Sequence, residues 1–132
     1  MANKVNIVLP ISLGRTGSTL LMGLLNSFDG VLVRGENNLF CFELMKSVRR
    51  LEESLIQKGQ LITDPWFGTD ELDIDRFIEN LRKSVVRELQ GSRKAISNFK
   101  WIGFKEIRYA DLTPGDLYDF VVFLDRLFPN VH

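Results

Sequence analysis

The sequence has few of the residues that supply covalent or metal-based chemistry. Its 132 residues include one cysteine, Cys41, and one histidine, His132, which is the last residue. A single cysteine excludes an internal disulfide framework and is typical of a reducing compartment. Cys41 lies on the apolar side of a predicted helix with no histidine nearby, so we interpret it as a core residue. No cluster of His, Cys, Asp and Glu has metal-ligand spacing, and we expect no metal.

The sequence also lacks an excess of charge of one sign and a long apolar run. Its 17 Lys and Arg residues balance its 17 Asp and Glu residues, so no global positive field attracts nucleic acid and any anion site must be local. No apolar run reaches the roughly 18 residues that a membrane-spanning helix needs. The apolar run at residues 5–10 is not followed by the cleavage pattern of a signal peptide. We therefore expect a cytoplasmic protein with no membrane span and no nucleic-acid partner.

What the sequence does contain is an alternation of short apolar strands with amphipathic helices. With 45% hydrophobic and 26% charged residues, the chain suits one compact domain, 1–132. Short β-branched or aromatic runs predict strands, and helically spaced apolar residues predict helices. The predicted order is strand 5–9, helix 18–28, strand 31–33, helix 40–55, helix 74–89, strand 99–107 and helix 114–127. This order is typical of an α/β fold with a mostly parallel sheet.

Two segments without periodicity are predicted to be loops. Residues 59–73 form an ordered loop or lid, in which Trp66 and Phe67 either line a ligand site or anchor the loop to the core. Residues 92–98 are polar and basic. The chain ends at His132 after a Pro-Asn turn that in such a fold leads into another strand. We therefore expect a fragment truncated at the C-terminus, with an incomplete sheet that favours self-association.

The most informative segment is a glycine-containing turn between the first strand and the first helix. Glycine lets the backbone approach a ligand closely, the amides at a helix start point outward, and the helix dipole favours an anion. Arginine adds a planar, permanently charged donor set, and hydroxyl groups add further donors. The alternative is a tight strand-to-helix turn in which a serine only caps the helix. We expect the turn to bind a phosphate-like anion through Gly14, Arg15, Thr16, Gly17, Ser18 and Thr19.

This turn and the segment after the second strand together resemble a known family. The motif Arg15-Thr16-Gly17-Ser18-Thr19-Leu20-Leu21, followed later by Arg34-Gly35-Glu36, resembles the N-terminal part of the sulfotransferases that use 3′-phosphoadenosine 5′-phosphosulfate (PAPS). The tyrosylprotein and bacterial carbohydrate branches are the most similar. The resemblance implies a P-loop-like three-layer α/β/α fold, PAPS as donor, 3′-phosphoadenosine 5′-phosphate as product, and no metal. It also implies an acceptor hydroxyl on a sugar, a lipid, a small metabolite or a tyrosine.

The same resemblance implies catalytic roles for Glu36, Lys105 and Arg15. Glu36 would be the base that takes the proton of the acceptor hydroxyl, and a carboxylate within hydrogen-bond reach is the simplest activator of a hydroxyl. Lys105 and Arg15 would stabilise the charge on the transferring group. From the residues alone, Glu36 is alternatively an exposed loop residue or the ion-pair partner of Arg34.

Lys105 is predicted near the end of the third strand, which is where ligands bind in parallel α/β sheets. Strand alternation puts Lys105 on one face and Glu106 and Arg108 on the other, so only one of these two sets can face a ligand. The alternative for Lys105 is a surface ion pair with Glu106 or Asp111. In the family, the segment that resembles residues 124–131 is followed by the elements that bind the 3′-phosphate, and this chain ends before them.

Two other classes of function remain open. A P-loop nucleotide kinase or NTPase would carry a lysine directly after the second glycine of its loop, where this chain has Ser18. A non-catalytic anion-binding or assembly module would hold an anion in the same turn without transferring it.

Overall fold

The structure, a computed structural model, describes residues 5–57, 59, 61–91 and 99–132. Its elements in chain order are β1 (Asn6–Val8), α1 (Ser18–Asn26), β2 (Val31–Arg34), α2 (Phe40–Ile56), a 3₁₀ turn (Thr69–Glu71), α3 (Ile74–Gln90), β3 (Trp101–Phe104), a second 3₁₀ turn (Arg108–Asp111) and α4 (Pro114–Leu127). Each predicted strand and helix is present. The predicted loop at 92–98 lies outside the described residues. Within the described ranges, no helix is both long and apolar enough to cross a membrane.

The sheet consists of parallel strands in the order β1-β3-β2. The last residues of the chain lie along the other edge of β1, where Val131 forms a parallel bridge with Ile7. The His132 amide donates to the Ile7 carbonyl at 2.9 Å, and the Leu9 amide donates to the His132 carbonyl at 3.1 Å. The spatial order is therefore β2, β3, β1 and then residues 130–132, which confirms the predicted parallel α/β arrangement.

Helices α2, α3 and α4 pack against one another and against the sheet. Asp73 caps α3 by accepting a hydrogen bond from the Arg76 amide, and Thr113 caps α4 by accepting one from the Asp116 amide. Cys41 is fully buried, as predicted, and burial raises the pKa of its thiol to about 12. The core consists of Ile7, Leu9, Cys41, Met45, Val48, Ile78, Val85, Phe104, Tyr109, Phe120, Phe123, Leu124, Leu127 and Phe128.

Helix α1 packs differently from the other helices, because most of its apolar side chains are exposed. Leu20, Leu21 and Leu24 are 80%, 44% and 56% exposed. The helix is instead tied to β2 by Asn26, whose side chain accepts from the Val33 amide at 2.7 Å and donates to the Val33 carbonyl at 2.9 Å. Because β2 lies at the edge of the described sheet, the Asn26 side chain binds the Val33 N–H and C=O groups that no described strand pairs with.

Strand β3 is shorter than the sequence predicts, since it ends at Phe104 rather than at residue 107. The amides of Ile107 and Arg108 donate to the carboxylate of Glu106, at 2.8 and 3.1 Å. A side chain that binds its neighbouring amides competes with the strand ladder for them, so the chain turns here. Within β3, Gly103 is required because a Cβ at this position would lie 1.6 Å from the Val8 carbonyl oxygen.

We expect Asn26→Ala to lower the free energy of unfolding by about 1–2 kcal/mol, because Val33 would lose both side-chain hydrogen bonds at the sheet edge. Urea unfolding followed by circular dichroism measures the change. Asn6→Ala is the control, because the Asn6 side chain makes one long hydrogen bond of 3.4 Å, to the Lys100 carbonyl. A loss for Asn26→Ala no larger than that for Asn6→Ala would contradict the role of Asn26.

Candidate functional site

The candidate site lies where the three strands end at the same edge of the sheet. From β1 the chain passes through α1 to β2 on one side, and from β3 it passes through α4 to residues 130–132 on the other side of β1. The loops after β1 and β3 therefore diverge, and in open α/β sheets such a divergence opens a crevice for ligands. A bridge between Ile11 and Glu106 continues the β1-β3 pairing into these loops.

The loop after β1 is the exposed glycine-containing turn predicted from the sequence. Gly14 lies near the segment after β3, since a Cβ there would make an ordinary contact of 3.7 Å with the Ile107 side chain. Arg15 and Gly17 have left-handed conformations, with φ of 60° and 82°. The Thr16 hydroxyl donates to the Leu13 carbonyl at 2.6 Å. The loop is thus held in a tight curve that leaves its outer surface open to solvent.

Helix α1 begins directly after this loop. Gly17 is its N-cap and supplies no side-chain cap, and Ser18 is the one buried residue of the helix. The first amides of a helix have no carbonyl partner within it, and the helix dipole makes this end positive. Arg15 is exposed at the same place and forms no salt bridge within the described ranges. The loop therefore combines the first amides of α1 with the guanidinium of Arg15, which forms no ion pair with a carboxylate of the described residues.

Lys105 joins the loops after β1, β2 and β3. Its residue exposure is 4%, and its Nζ donates to Glu36 Oε1 at 3.0 Å and to Thr19 Oγ1 at 3.4 Å. Three residues predicted for the site from distant parts of the sequence therefore meet at one ammonium group. The alternative of a surface ion pair between Lys105 and Glu106 or Asp111 is wrong.

Arg108 also reaches Glu36, although strand alternation puts it on the face opposite Lys105. Its Nη1 lies 3.3 Å from Glu36 Oε2 and 3.2 Å from Glu106 Oε1. Alternation does not hold at Arg108 because the chain turns after Glu106, whose carboxylate accepts from the amides of Ile107 and Arg108. The sequence signal that could have found Arg108 is Glu106, a carboxylate that can bind the amides following it.

Arg34 does not pair with Glu36. Its Nε donates to the Leu89 carbonyl at 2.8 Å and its Nη2 to the Gln90 carbonyl at 3.0 Å, at the C-terminal end of α3. A cation at this end satisfies free carbonyls and complements the helix dipole. Arg34 thus fixes β2 to α3, and Glu36 pairs with Lys105 and Arg108 instead.

Glu106 is 1% exposed and accepts hydrogen bonds with both carboxylate oxygens. Oε2 accepts from the Leu39 amide at 2.9 Å, and Oε1 accepts from the amides of Ile107 and Arg108 and from Arg108 Nη1. Burial opposes the charged form, but the three amides and the nearby guanidinium outweigh it, so the pKa of Glu106 lies below its usual range.

The two aromatic residues of the long loop do not anchor it to the core. Trp66 and Phe67 are 44% and 54% exposed, and neither belongs to the core cluster. Phe67 forms a bridge with Gly59, where a Cβ would lie 2.5 Å from the Trp66 backbone. This loop is therefore closed on itself, and a role for its aromatic residues at a ligand remains a prediction.

The arrangement can hold an anion and position a carboxylate next to it. Arg15, Lys105 and Arg108 supply three positive charges, and Glu36 and Glu106 supply two negative charges. Among the described residues, no group of three or more His, Cys, Asp or Glu side chains could hold a metal ion. Comparisons with protein-family models, with curated proteins and with solved structures find no match to this chain.

We expect Glu106→Gln to destabilise the fold by about 3 kcal/mol near neutral pH, because it removes a buried charge that is paired and hydrogen-bonded. A carboxyl group with a lowered folded-state pKa stabilises the fold above its unfolded pKa, and this contribution is lost as pH falls through the folded value. The difference in unfolding free energy between the wild type and Glu106→Gln should therefore shrink as the pH is lowered through the acid range.

Urea unfolding at several pH values from about 7 to about 3 measures this difference. Glu53→Gln is the control, because Glu53 pairs with Arg50 on the exposed surface of α2 and should change stability little at any of these pH values. A difference for Glu106→Gln that stays constant across this range would contradict the assigned hydrogen bonds.

Proposed function

We propose that this chain carries the donor site of a sulfotransferase, which binds PAPS and transfers its sulfuryl group to an acceptor hydroxyl. The observation that carries the proposal is the position of Lys105 Nζ, within hydrogen-bond distance of both Thr19 at the glycine-containing turn and the Glu36 carboxylate. A transferring group bound at the turn would then lie next to a cation and a candidate base at once.

The turn suits the 5′-phosphosulfate end of the donor. The α1 amides and the guanidinium of Arg15 would bind phosphosulfate oxygens, and the hydroxyls of Ser18 and Thr19 would add donors. The strand order also supports a P-loop-like three-layer α/β/α fold, because residues 130–132 extend the sheet beyond β1 at the position of a fourth parallel strand. In this fold the turn after the first strand binds phosphate.

The proposed reaction is an in-line displacement at sulfur. The acceptor oxygen forms a bond to sulfur while the bond from sulfur to the bridging phosphate oxygen breaks, and that oxygen leaves with the bonding electrons as part of 3′-phosphoadenosine 5′-phosphate. The hydroxyl proton goes to the Glu36 carboxylate. Lys105 and Arg15 stabilise the negative charge that develops on the bridging oxygen and the sulfuryl oxygens. Positioning and electrostatics supply the catalysis, much as in phosphoryl transfer.

The acceptor would be a hydroxyl on a sugar, a lipid, a small metabolite or a tyrosine. The ion pairs of Glu36 with Lys105 and Arg108 hold its carboxylate 3.0 and 3.3 Å from the two cations. The same pairs suit a module that binds an anion without transferring it, so a test must separate binding from turnover. A P-loop kinase or NTPase would instead prefer ATP together with Mg²⁺.

We expect calorimetric titration to show binding of 3′-phosphoadenosine 5′-phosphate in preference to adenosine 5′-monophosphate and Mg-ATP. Arg15→Ala should weaken this binding about tenfold to a hundredfold, because it removes a charged hydrogen-bond donor at the turn. Arg50→Ala is the matched control, since its side chain is 83% exposed on α2 and pairs with Glu53. A preference for Mg-ATP would favour the kinase or NTPase class, and no nucleotide binding would refute the donor site.

We expect Glu36→Gln to bind 3′-phosphoadenosine 5′-phosphate at least as tightly as the wild type but to lose at least a hundredfold in turnover, because the amide cannot accept the acceptor proton. Turnover is measured as release of 3′-phosphoadenosine 5′-phosphate from PAPS with sugars, lipids, small alcohols and a tyrosine peptide as acceptors. Glu53→Gln is the control for loss of a surface carboxylate. An active Glu36→Gln enzyme would remove Glu36 from the base role, and binding without turnover by the wild type would favour the anion-binding module.

A further inference from the structure

The loops after β2 and β3 are joined by a single buried carboxylate that the proposed reaction does not use. Glu106 follows β3 and is 1% exposed, and its Oε2 accepts from the Leu39 amide at 2.9 Å. Leu39 is the N-cap of α2 and ends the loop that carries Glu36. The position of that loop relative to β3 therefore depends on a contact with Glu106.

The loop is also bent in a way that needs an external contact. Asn38 and Leu39 have φ of 57° and 56°, and leucine rarely adopts this left-handed conformation. Such a conformation persists where the surrounding structure enforces it, and it clusters at functional sites. The hydrogen bond from the Leu39 amide to Glu106 is a contact at this bend that comes from outside the loop.

The second oxygen of the same carboxylate orients a cation. Glu106 Oε1 accepts from Arg108 Nη1 at 3.2 Å, and this same nitrogen lies 3.3 Å from Glu36 Oε2. The Arg108 amide also donates to Glu106 Oε1, at 3.1 Å. Backbone and side chain of Arg108 are thus both fixed by Glu106, with the guanidinium directed toward Glu36.

We propose that Glu106 is a positioning residue that sets the geometry of Glu36 and Arg108 by holding the Leu39 end of one loop and the Arg108 guanidinium of the other. The reaction at the site rests on the proposed function, whereas the contacts of Glu106 do not. A catalytic group works only when it is held close to its productive geometry, and a small displacement can lower the rate about a hundredfold. Loss of Glu106 should therefore lower turnover by displacing Glu36, without removing any group that binds the nucleotide.

The test compares Glu106→Gln and Glu106→Asp in the release of 3′-phosphoadenosine 5′-phosphate from PAPS, at a temperature where every variant is folded. Gln keeps an oxygen toward Arg108 but turns an amide N–H toward the Leu39 N–H, and we expect turnover to fall at least tenfold while calorimetric binding of 3′-phosphoadenosine 5′-phosphate changes little. Asp keeps the charge on a shorter side chain, and we expect its turnover to lie between those of Gln and the wild type. Val85→Ala is the control, because this buried core residue lies on α3, outside both loops; it should turn over PAPS like the wild type.

A second measurement is independent of the ligand. Glu106→Gln should raise amide hydrogen exchange at Leu39 at least tenfold relative to Ile102 in the centre of the sheet, while Val85→Ala should change both amides by the same factor. If the wild type shows no nucleotide binding or no turnover, the proposed function fails and the exchange measurement alone decides the positioning role.

Two results would overturn the role of Glu106. One is a loss of turnover in Val85→Ala equal to that in Glu106→Gln, and the other is equal exchange changes at Leu39 and Ile102 in Glu106→Gln. If Glu106→Gln does not fold, the same comparisons apply to Glu106→Asp, for which selective exchange at Leu39 is again the expected result.

Discussion

The buried carboxylate of Glu106 is the interaction on which the arrangement of the candidate site depends. By binding the amides of Ile107 and Arg108, it turns the chain shortly after the end of β3. By binding the Leu39 amide, it fixes the loop that follows β2. A buried carboxylate without such partners would be strongly destabilising, whereas three backbone amides and a guanidinium make its charged form the favoured one. The ends of two neighbouring strands therefore form one connected unit.

The sequence predicts the fold well because its local signals agree with one another. Several local signals indicate the helix boundaries that packing also produces: the apolar runs, the caps Asp73 and Thr113, and Pro114 in the first turn of α4. The exception is the end of β3, where alternation predicts strand through residue 107. Apolar periodicity shows which side chains of a strand face the core. It does not show that a side chain such as Glu106 will accept hydrogen bonds from the backbone amides that follow it.

The candidate site was predicted less completely, for the same reason. Gly14 to Thr19, Glu36 and Lys105 could be proposed from residue type and order, because parallel strands end at one edge of a sheet. Strand alternation alone would put Arg108 on the face opposite Lys105, and an ion pair with Arg34 was one alternative for Glu36, whereas Arg34 binds the carbonyls at the end of α3. Both differences concern long-range pairs, which depend on how loops turn and are not encoded in local patterns.

The exposed apolar stripe of α1 shows a second limit of local patterns. Leu20, Leu21 and Leu24 have the spacing of a core-facing helix, yet the fold leaves them largely exposed. The helix is held instead by the Asn26 amide at the edge of β2. The spacing therefore predicts that α1 is a helix, but it does not predict that the other described residues leave its apolar side chains largely exposed.

The ion pairs of Lys105 constrain how the proposed donor site could work. An ammonium group that is 4% exposed would be costly without an anionic partner, and in this structure Glu36 is that partner. A phosphosulfate bound at the turn would supply a second anion to Lys105 through the side that faces Thr19. Under the proposed function, donor binding therefore weakens the hold of Lys105 on Glu36 because the two anions share one cation. Glu36 would then be held less tightly by Lys105 at the stage when an acceptor hydroxyl has to reach it.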